Sequence, residues 1–379
     1  MKPPQKEVRE MEDWNVLCQF LPPGWKERAR LSGALRRARG IAGPEALLRI
    51  LLIHLANGCS LAETATRARE AGLGEVSAVA VFKRLKAAET WLRWLAQQAR
   101  GISGLPVEAR GRRLRAVDAT AVSEPGSTGT DWKIHYVVNL GDLQCDFFEL
   151  TEVSSGGETF RRVPVSVGDI MMGDRIYATP PGVAHVRDAG GDVVVRLNRQ
   201  SLPLFDSRGA RLQVLSLLRG IKVGQPREWD ARVRHPQGGW LKGRLIAIKR
   251  SVEATRLVRK RLARRANRRQ EAVSKESWEA AQYFLVWTSL PKSFLATDVL
   301  EFYRLRWQIE LVFKRLKSIM GLGHLPKKDP ASSRAWLHGK LFVGLLVERM
   351  IKAADSFSPW GYALAAPPQS LEGNRIHAP

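Results

Sequence analysis

A chain of 379 residues with 44% hydrophobic content carries enough apolar material for two or three domains with proper cores, which excludes a disordered tail. Its net charge of +24, spread over the whole length, calls for a polyanionic partner, nucleic acid before membrane. No apolar run of about 18 residues exists and none follows Met1-Lys2-Pro3-Pro4, so neither a membrane span nor a signal peptide is expected, and the cytoplasm is the expected compartment.

Residues 25–100 read as helices. An apolar run of helical length covers 46–56, an Ala-rich charged stretch covers 61–70, and 77–98 carries Val81, Leu85, Trp91, Leu92 and Leu95 at helical intervals. Between the last two lies a Gly-containing turn, 71–77, that ends on Ser77 as an N-cap. This is the outline of a helix-turn-helix, with Phe82, Lys83, Arg84 and Lys86 on the candidate recognition helix. A plain helical bundle with Gly turns has the same outline, so reading DNA is one of two alternatives. Cys18, Cys59 and Cys145 are isolated from one another, and neither a zinc site nor a disulfide framework is expected.

From about residue 105 the period changes. Residues 113–117, 132–140 and 146–153 read as three strands joined by turns, 157–163 as a short helix ended by Pro164, and 170–174 and 192–196 as buried strands. That mixture is α/β. Over 198–282 the rhythm breaks: strands are expected at 223–229, 231–234 and 240–248, and 259–270 is nearly solid base, either a solvated face or loop or a segment laid on DNA phosphates. A strand returns at 283–289, a helix begins near Thr297, and an apolar helix covers 335–354. For that last helix a place in the core is favoured over a dimer contact. The final 25 residues, rich in Pro, Gly, Ala and Ser, are expected to be loosely ordered.

Two aspartates stand at strand ends. Asp118 follows Arg113-Leu-Arg-Ala-Val, and Asp174 follows Ile170-Met-Met-Gly, at the carboxyl edge where open α/β sheets place ligands. Each could instead cap a turn. A third acid, Glu310, lies in the run Tyr303-Arg-Leu-Arg306-Trp-Gln-Ile-Glu310, which continues to Lys317. On an ideal helix, at about 100° per residue, Tyr303, Arg306, Glu310 and Lys317 share an arc of roughly 60°, beside an apolar stripe of Leu305, Ile309, Phe313 and Leu316. A solvated amphipathic face with salt bridges would look the same. Taken together, three carboxylates from separate segments are hard oxygen ligands suited to Mg²⁺, and two such ions can activate a water and stabilise a leaving oxygen in phosphodiester cleavage.

The spacing Tyr303, Arg306, Glu310, Lys317 resembles the Tyr-x2-Arg-x3-Glu-x6-Lys signature of the DDE-type insertion-sequence transposases of bacteria. Ala-Val-Asp118-Ala-Thr and Gly-Asp174-Arg are similar to the contexts of that family's two aspartates, and the similarity spans most of the chain. The resemblance implies an RNase H-like mixed-sheet catalytic core with a β-rich insertion, preceded by an all-α N-terminal domain. The divisions expected are a helical DNA-binding domain over 1–104, the first part of the core over 105–197, a basic β-rich insertion over 198–282, the second part of the core over 283–354, and the tail over 355–379. It implies that Asp118, Asp174 and Glu310 are catalytic and bind two Mg²⁺ ions, with Mn²⁺ able to substitute, and that Arg306 and Lys317 contact phosphates beside Tyr303. A Trp of the insertion stacks on a flipped base in some relatives, which makes Trp229, Trp240 and Trp287 candidates. The implied partners are double-stranded DNA at terminal inverted repeats and target, a second copy of the chain on that DNA, and no membrane; the implied setting is the bacterial nucleoid. The rival readings are a non-catalytic sequence-specific regulator, a decayed transposase and a metal-dependent nuclease.

Overall fold

The computed structural model describes residues 13–101, 111–127 and 129–356. The boundary expected near residue 105 lies outside the described residues, as does the tail expected over 355–379 apart from residues 355 and 356.

After a helical stretch at 13–18 come α1 (Trp25–Leu31), α2 (Pro44–Asn57), α3 (Leu61–Glu70), α4 (Ala78–Ala87) and α5 (Glu89–Ala99). Ser60 and Ser77 cap α3 and α4, their hydroxyls accepting from the Glu63 N–H at 3.1 Å and the Ala80 N–H at 3.2 Å. The single helix expected over 77–98 is two, because the chain turns at Ala88, which is fully buried. Trp91 on the far side of that turn donates to the Trp25 carbonyl at 3.0 Å and stacks on the Trp25 ring. Packing on α1 thus overrides a helical period that the sequence carries without interruption.

Strands β1 (Arg113–Val122), β2 (Trp132–Asn139) and β3 (Gln144–Glu152) form an antiparallel meander. β4 (Asp169–Gly173) then pairs parallel with β1, and β5 (Asp192–Arg196) parallel with β4, through the crossover helix α6 (Pro180–Asp188). The short helix expected at 157–163 is only a 3₁₀ turn, Phe160–Arg162. β6 (Pro226–Asp230), the two-residue β7 (Val233–Arg234) and β8 (Trp240–Leu241), and β9 (Arg244–Lys249) follow, with a one-turn helix α7 (Val214–Leu217) before them. After α8 (Val252–Arg269) and α9 (Lys275–Ala280), β10 (Tyr283–Thr288) joins β5 antiparallel. The eight-stranded order is β3-β2-β1-β4-β5-β10-β9-β6, so β9 and β6 lengthen the same sheet, while β7 and β8 form a separate hairpin. A mixed sheet of this order preceded by helices is the α/β architecture expected.

Alternation along the strands fixes two faces. Leu114, Ala116, Ile170, Met172, Val194, Ile246 and Val286 face one continuous core shared with α1–α5 and with α10 (Ala296–Leu305), α11 (Gln308–Lys314) and α12 (Pro330–Ser356). Val117, Met171, Val193, Val195, Leu245 and Trp287 face a second core built with α6 and residues 202–233. The 27-residue α12 runs through the first core with Leu337, Leu341 and Phe342 fully buried, so its place is core, as favoured. It touches α2 at Gly339, where an added Cβ would lie 2.5 Å from Leu55 Cδ1. Gly339→Ala is therefore expected to destabilise the fold by about 1–3 kcal/mol through overpacking, read as a fall in the urea midpoint.

Candidate active site

β1 and β4 pair only from Arg113–Asp169 to Ala116–Met172. Asp118 lies two residues past the last β4 partner, although β1 itself continues to Val122 along β2. The expectation that the strand ends at Asp118 is thus corrected: what ends there is the neighbour. Asp174 follows the last residue of β4, as expected. The step into it is tight, since a Cβ at Gly173 would lie 2.7 Å from Tyr177 Cβ and 2.9 Å from Phe160 Cζ. Both acids therefore sit at the carboxyl edge, beside the gap where the chain reverses its order across the sheet.

The third acid arrives from across that edge. α10 does not run on to Lys317 as one helix. Between 303 and 310 the hydrogen bonds are of the i to i+3 kind, Arg306 N–H to Tyr303 at 3.2 Å, Ile309 N–H to Arg306 at 3.2 Å and Glu310 N–H to Trp307 at 2.9 Å. Such a turn winds tighter than an α-helix, and the following Arg315–Ile319 is a π segment, which winds looser. The single polar stripe expected for Tyr303, Arg306, Glu310 and Lys317 is corrected accordingly. Tyr303 is buried against Phe284, ring centroids 5.3 Å apart. Arg306 turns inward over the Tyr303 ring at 5.6 Å, while Glu310 and Lys317 are exposed.

Arg306 joins two of the acids. Its Nη2 donates to Glu310 Oε1 at 2.7 Å and its Nη1 to Asp118 Oδ2 at 3.4 Å, the latter pair 188 positions apart in sequence. Asp118 is 20% exposed, and its carboxyl is pushed up to about 6: burial dominates, Asp174 and Glu158 add repulsion, and the Ala119 N–H and Arg306 pull the other way. Asp174 Oδ1 accepts from the Ile176 N–H at 2.8 Å. Other buried acids are differently placed. Asp169 accepts from Arg113 at 2.8 Å and Arg115 at 2.7 Å, and Asp192 is held by Arg187 and Ser289. Among the described residues Asp118 shares this shortage of positive charge with Glu348, which burial raises to about 7 and which lies on α12 with Arg315 3.9 Å away.

Two neighbours carry no motif. Tyr177 is fully buried, its hydroxyl has no hydrogen-bond partner among the described residues, and its acidity is lowered by burial and by Asp118, Glu158 and Asp174 together. Glu158 is tied to Lys133 at 3.0 Å. Nothing in the sequence signals either, because both reach the site by the fold around Phe160 and Gly173.

Among the described residues no group of three or more His, Cys, Asp and Glu is drawn together closely enough to hold a metal ion. The donor chemistry nevertheless fits a hard divalent cation. Asp118 is a desolvated carboxylate that Asp174 and Glu158 repel, the unpartnered Tyr177 hydroxyl feels the same three acids, and Arg306 supplies the positive charge bridging Asp118 and Glu310.

On the candidate recognition helix, Lys83 is exposed, Arg84 donates to the Arg37 carbonyl at 2.6 Å, and Lys86 pairs with Asp329 at 3.1 Å. Two of the three expected DNA contacts are thus engaged within the chain. Of the tryptophans, Trp287 is fully buried and donates to the Ala231 carbonyl at 3.2 Å, Trp229 is half-buried, and Trp240 is held between Phe205 and Arg234. Trp287 is core. More exposed rings are Trp278 and Trp307, which the sequence reading passed over.

The family model described as Transposase DDE domain matches residues 109–346, which include all three acids. The chain belongs to the DDE transposase family. Among its relatives are InsL of insertion sequence element IS186A from Escherichia coli strain K12, 32% identical over 92% of this chain and 96% of that protein, and the transposase for insertion sequence element IS421 from Escherichia coli, 32% identical over the same shares. As a DDE transposase it is an enzyme of transposition that acts on DNA and depends on a divalent metal, and its core is RNase H-like. Among the described residues of this transposase no helix is long and apolar enough to cross a membrane.

Proposed function

We propose that this transposase cuts the ends of its own insertion sequence and joins them to target DNA, using Asp118, Asp174 and Glu310. The observation that carries the reading is the Arg306 bridge, which draws an acid from the α10–α11 junction to an acid of β1 at the sheet edge where β4 delivers Asp174. The three acids would hold Mg²⁺, two ions, with Mn²⁺ able to substitute. When bound, such ions supply activation of water and stabilisation of the leaving oxygen. The chain's own residues do the rest. Arg306 and Lys317 neutralise phosphate at the cut strand, the buried Tyr303 fixes the Arg306 guanidinium from below, and the apolar floor under Asp118 keeps bulk water out. Hydrolysis frees a 3′-hydroxyl, and that hydroxyl attacks a second phosphodiester, breaking one P–O bond as another forms. Joining two ends requires both in one complex, so a dimer on the DNA is part of the proposal, as is action on the bacterial nucleoid in the cytoplasm.

The N-terminal helices would place the DNA ends. Lys83, exposed on α4, is proposed as a phosphate contact, with Arg84 and Lys86 joining it only by leaving Arg37 and Asp329. Lys83→Ala is then expected to weaken binding evenly across sequences and to make the slope of log K against log salt shallower by about 1. A full-length titration over a salt series checks this.

The direct test incubates the protein with DNA spanning the element's ends, with and without Mg²⁺. Cuts at the boundary together with joined products support the proposal. Binding without cuts favours a regulator or a decayed transposase, and cuts without regard to the boundary favour a nuclease.

A further inference from the structure

Arginine is plentiful in this chain, and much of it is paired. Arg112, Arg113, Arg115, Arg162, Arg187 and Arg244 all meet carboxylates. A groove of about 760 Å³ behaves differently. Arg175, Arg196, Arg199, Arg211, Arg261 and Arg265 line it, and among the described residues none of the six has a carboxylate within ion-pair distance. Glu276 is also at its wall, where its backbone carbonyl accepts from Arg199 at 3.4 Å. The crowding shows in Arg250, whose guanidinium is pulled down to about 10 by desolvation and then by Arg196 and Arg175.

The groove is built from separate parts of the fold. Arg175 adjoins Asp174, Arg196 ends β5, Arg211 comes from the loop before α7, and Arg261 and Arg265 lie one turn apart on α8. With Val258 and Leu262 they make one face of that helix, at intervals of three and four residues, and both arginines are exposed. Six converging guanidiniums with no ion pair among the described residues favour an anion that spans them, and a repeated one, since the charges run from Arg175 beside Asp174 to α8. The volume is that of a small-molecule cleft, which suits a short length of single strand entering it better than a duplex.

We propose that this groove holds the sugar-phosphate backbone of single-stranded DNA leading away from the acidic site toward α8. The inference rests on the transposase reading only in taking DNA as the polyanion. Its test needs neither metal nor cleavage, so it fails or stands apart from that reading. A blunt duplex and the same duplex with a single-stranded extension are titrated with the full chain in EDTA, from about 50 to 200 mM salt, with anisotropy as the readout. Wild type should prefer the extended DNA, with a salt slope steeper by at least about 2, since single-strand contacts contribute about 0.7 each. Arg211→Ala/Arg261→Ala/Arg265→Ala should lose that excess and keep its affinity for the blunt duplex, and the corresponding triple lysine variant should keep most of the excess. Arg265→Ala alone, an exposed change, should lose about 0.7 of slope on extended DNA only. Equal losses on both DNAs, or no preference in wild type, would overturn the proposal.

Discussion

Asp118→Asn is expected to abolish strand cleavage while stabilising the fold at pH 7 by about 1–2 kcal/mol. The carboxyl is raised from 3.8 to about 6, so the folded chain binds its proton more tightly than the unfolded chain does. That contribution is present in full below the unfolded value and is lost as pH rises through about 6. At neutral pH wild type bears the whole cost of an ionised, buried carboxylate. About two pH units at 1.36 kcal/mol each set the upper limit, and the partial exposure of Asp118 lowers it. Asparagine removes the charge and keeps the shape. Urea midpoints for both proteins at several pH values should converge near pH 3 and separate between about pH 4 and 6, with the variant ahead above that. A variant less stable than wild type at pH 7 would mean that the Arg306 contact outweighs the burial of Asp118.

Arg306→Gln is expected to slow cleavage by about 10²–10³-fold and to move the acid limb of the pH–rate profile upward. Arg306 pulls the Asp118 carboxyl down and neutralises it beside Glu310, so without it Asp118 stays protonated to higher pH. Arg306→Lys should recover part of the rate, because an ammonium on a single stem cannot hold both carboxylates as the guanidinium does. Single-turnover rates from pH 5 to 9 for the three proteins give the result. A slower rate on an unmoved profile would restrict Arg306 to contacts with DNA.

The sheet was legible because its strands alternate or run apolar between turns: 113–117, 170–174 and 192–196 all emerged as strands, and Asp174 landed at a true strand end. Glu310 was singled out by the resemblance its spacing carries, and the fold ties it to Arg306 at 2.7 Å. The geometry around it was not legible. The tight turn at 306–310 and the π segment after it follow from burying Tyr303 and Leu316 on a twisted sheet, which local propensity does not encode. The break at Ala88 has the same origin in Trp91 and Trp25. Over 198–282 short strands escaped accurate reading because β7 and β8 are two residues each, and the basic run became the regular helix α8. Tyr177 and Glu158 carry no local pattern at all; only the folded edge brings them to Asp118.

Asp118, Asp174 and Glu310 are proposed to form one catalytic unit, and single-turnover cleavage of end DNA in Mg²⁺ is the measurement that decides it. Glu310 decides the matter, being the exposed acid, 61% open, that a purely structural salt bridge to Arg306 would also explain. Glu310→Gln, like Asp118→Asn and Asp174→Asn, is expected to bind the ends as wild type does and to cleave at least about 10³-fold more slowly. A Glu310→Gln protein that cleaves within about tenfold of wild type would contradict it.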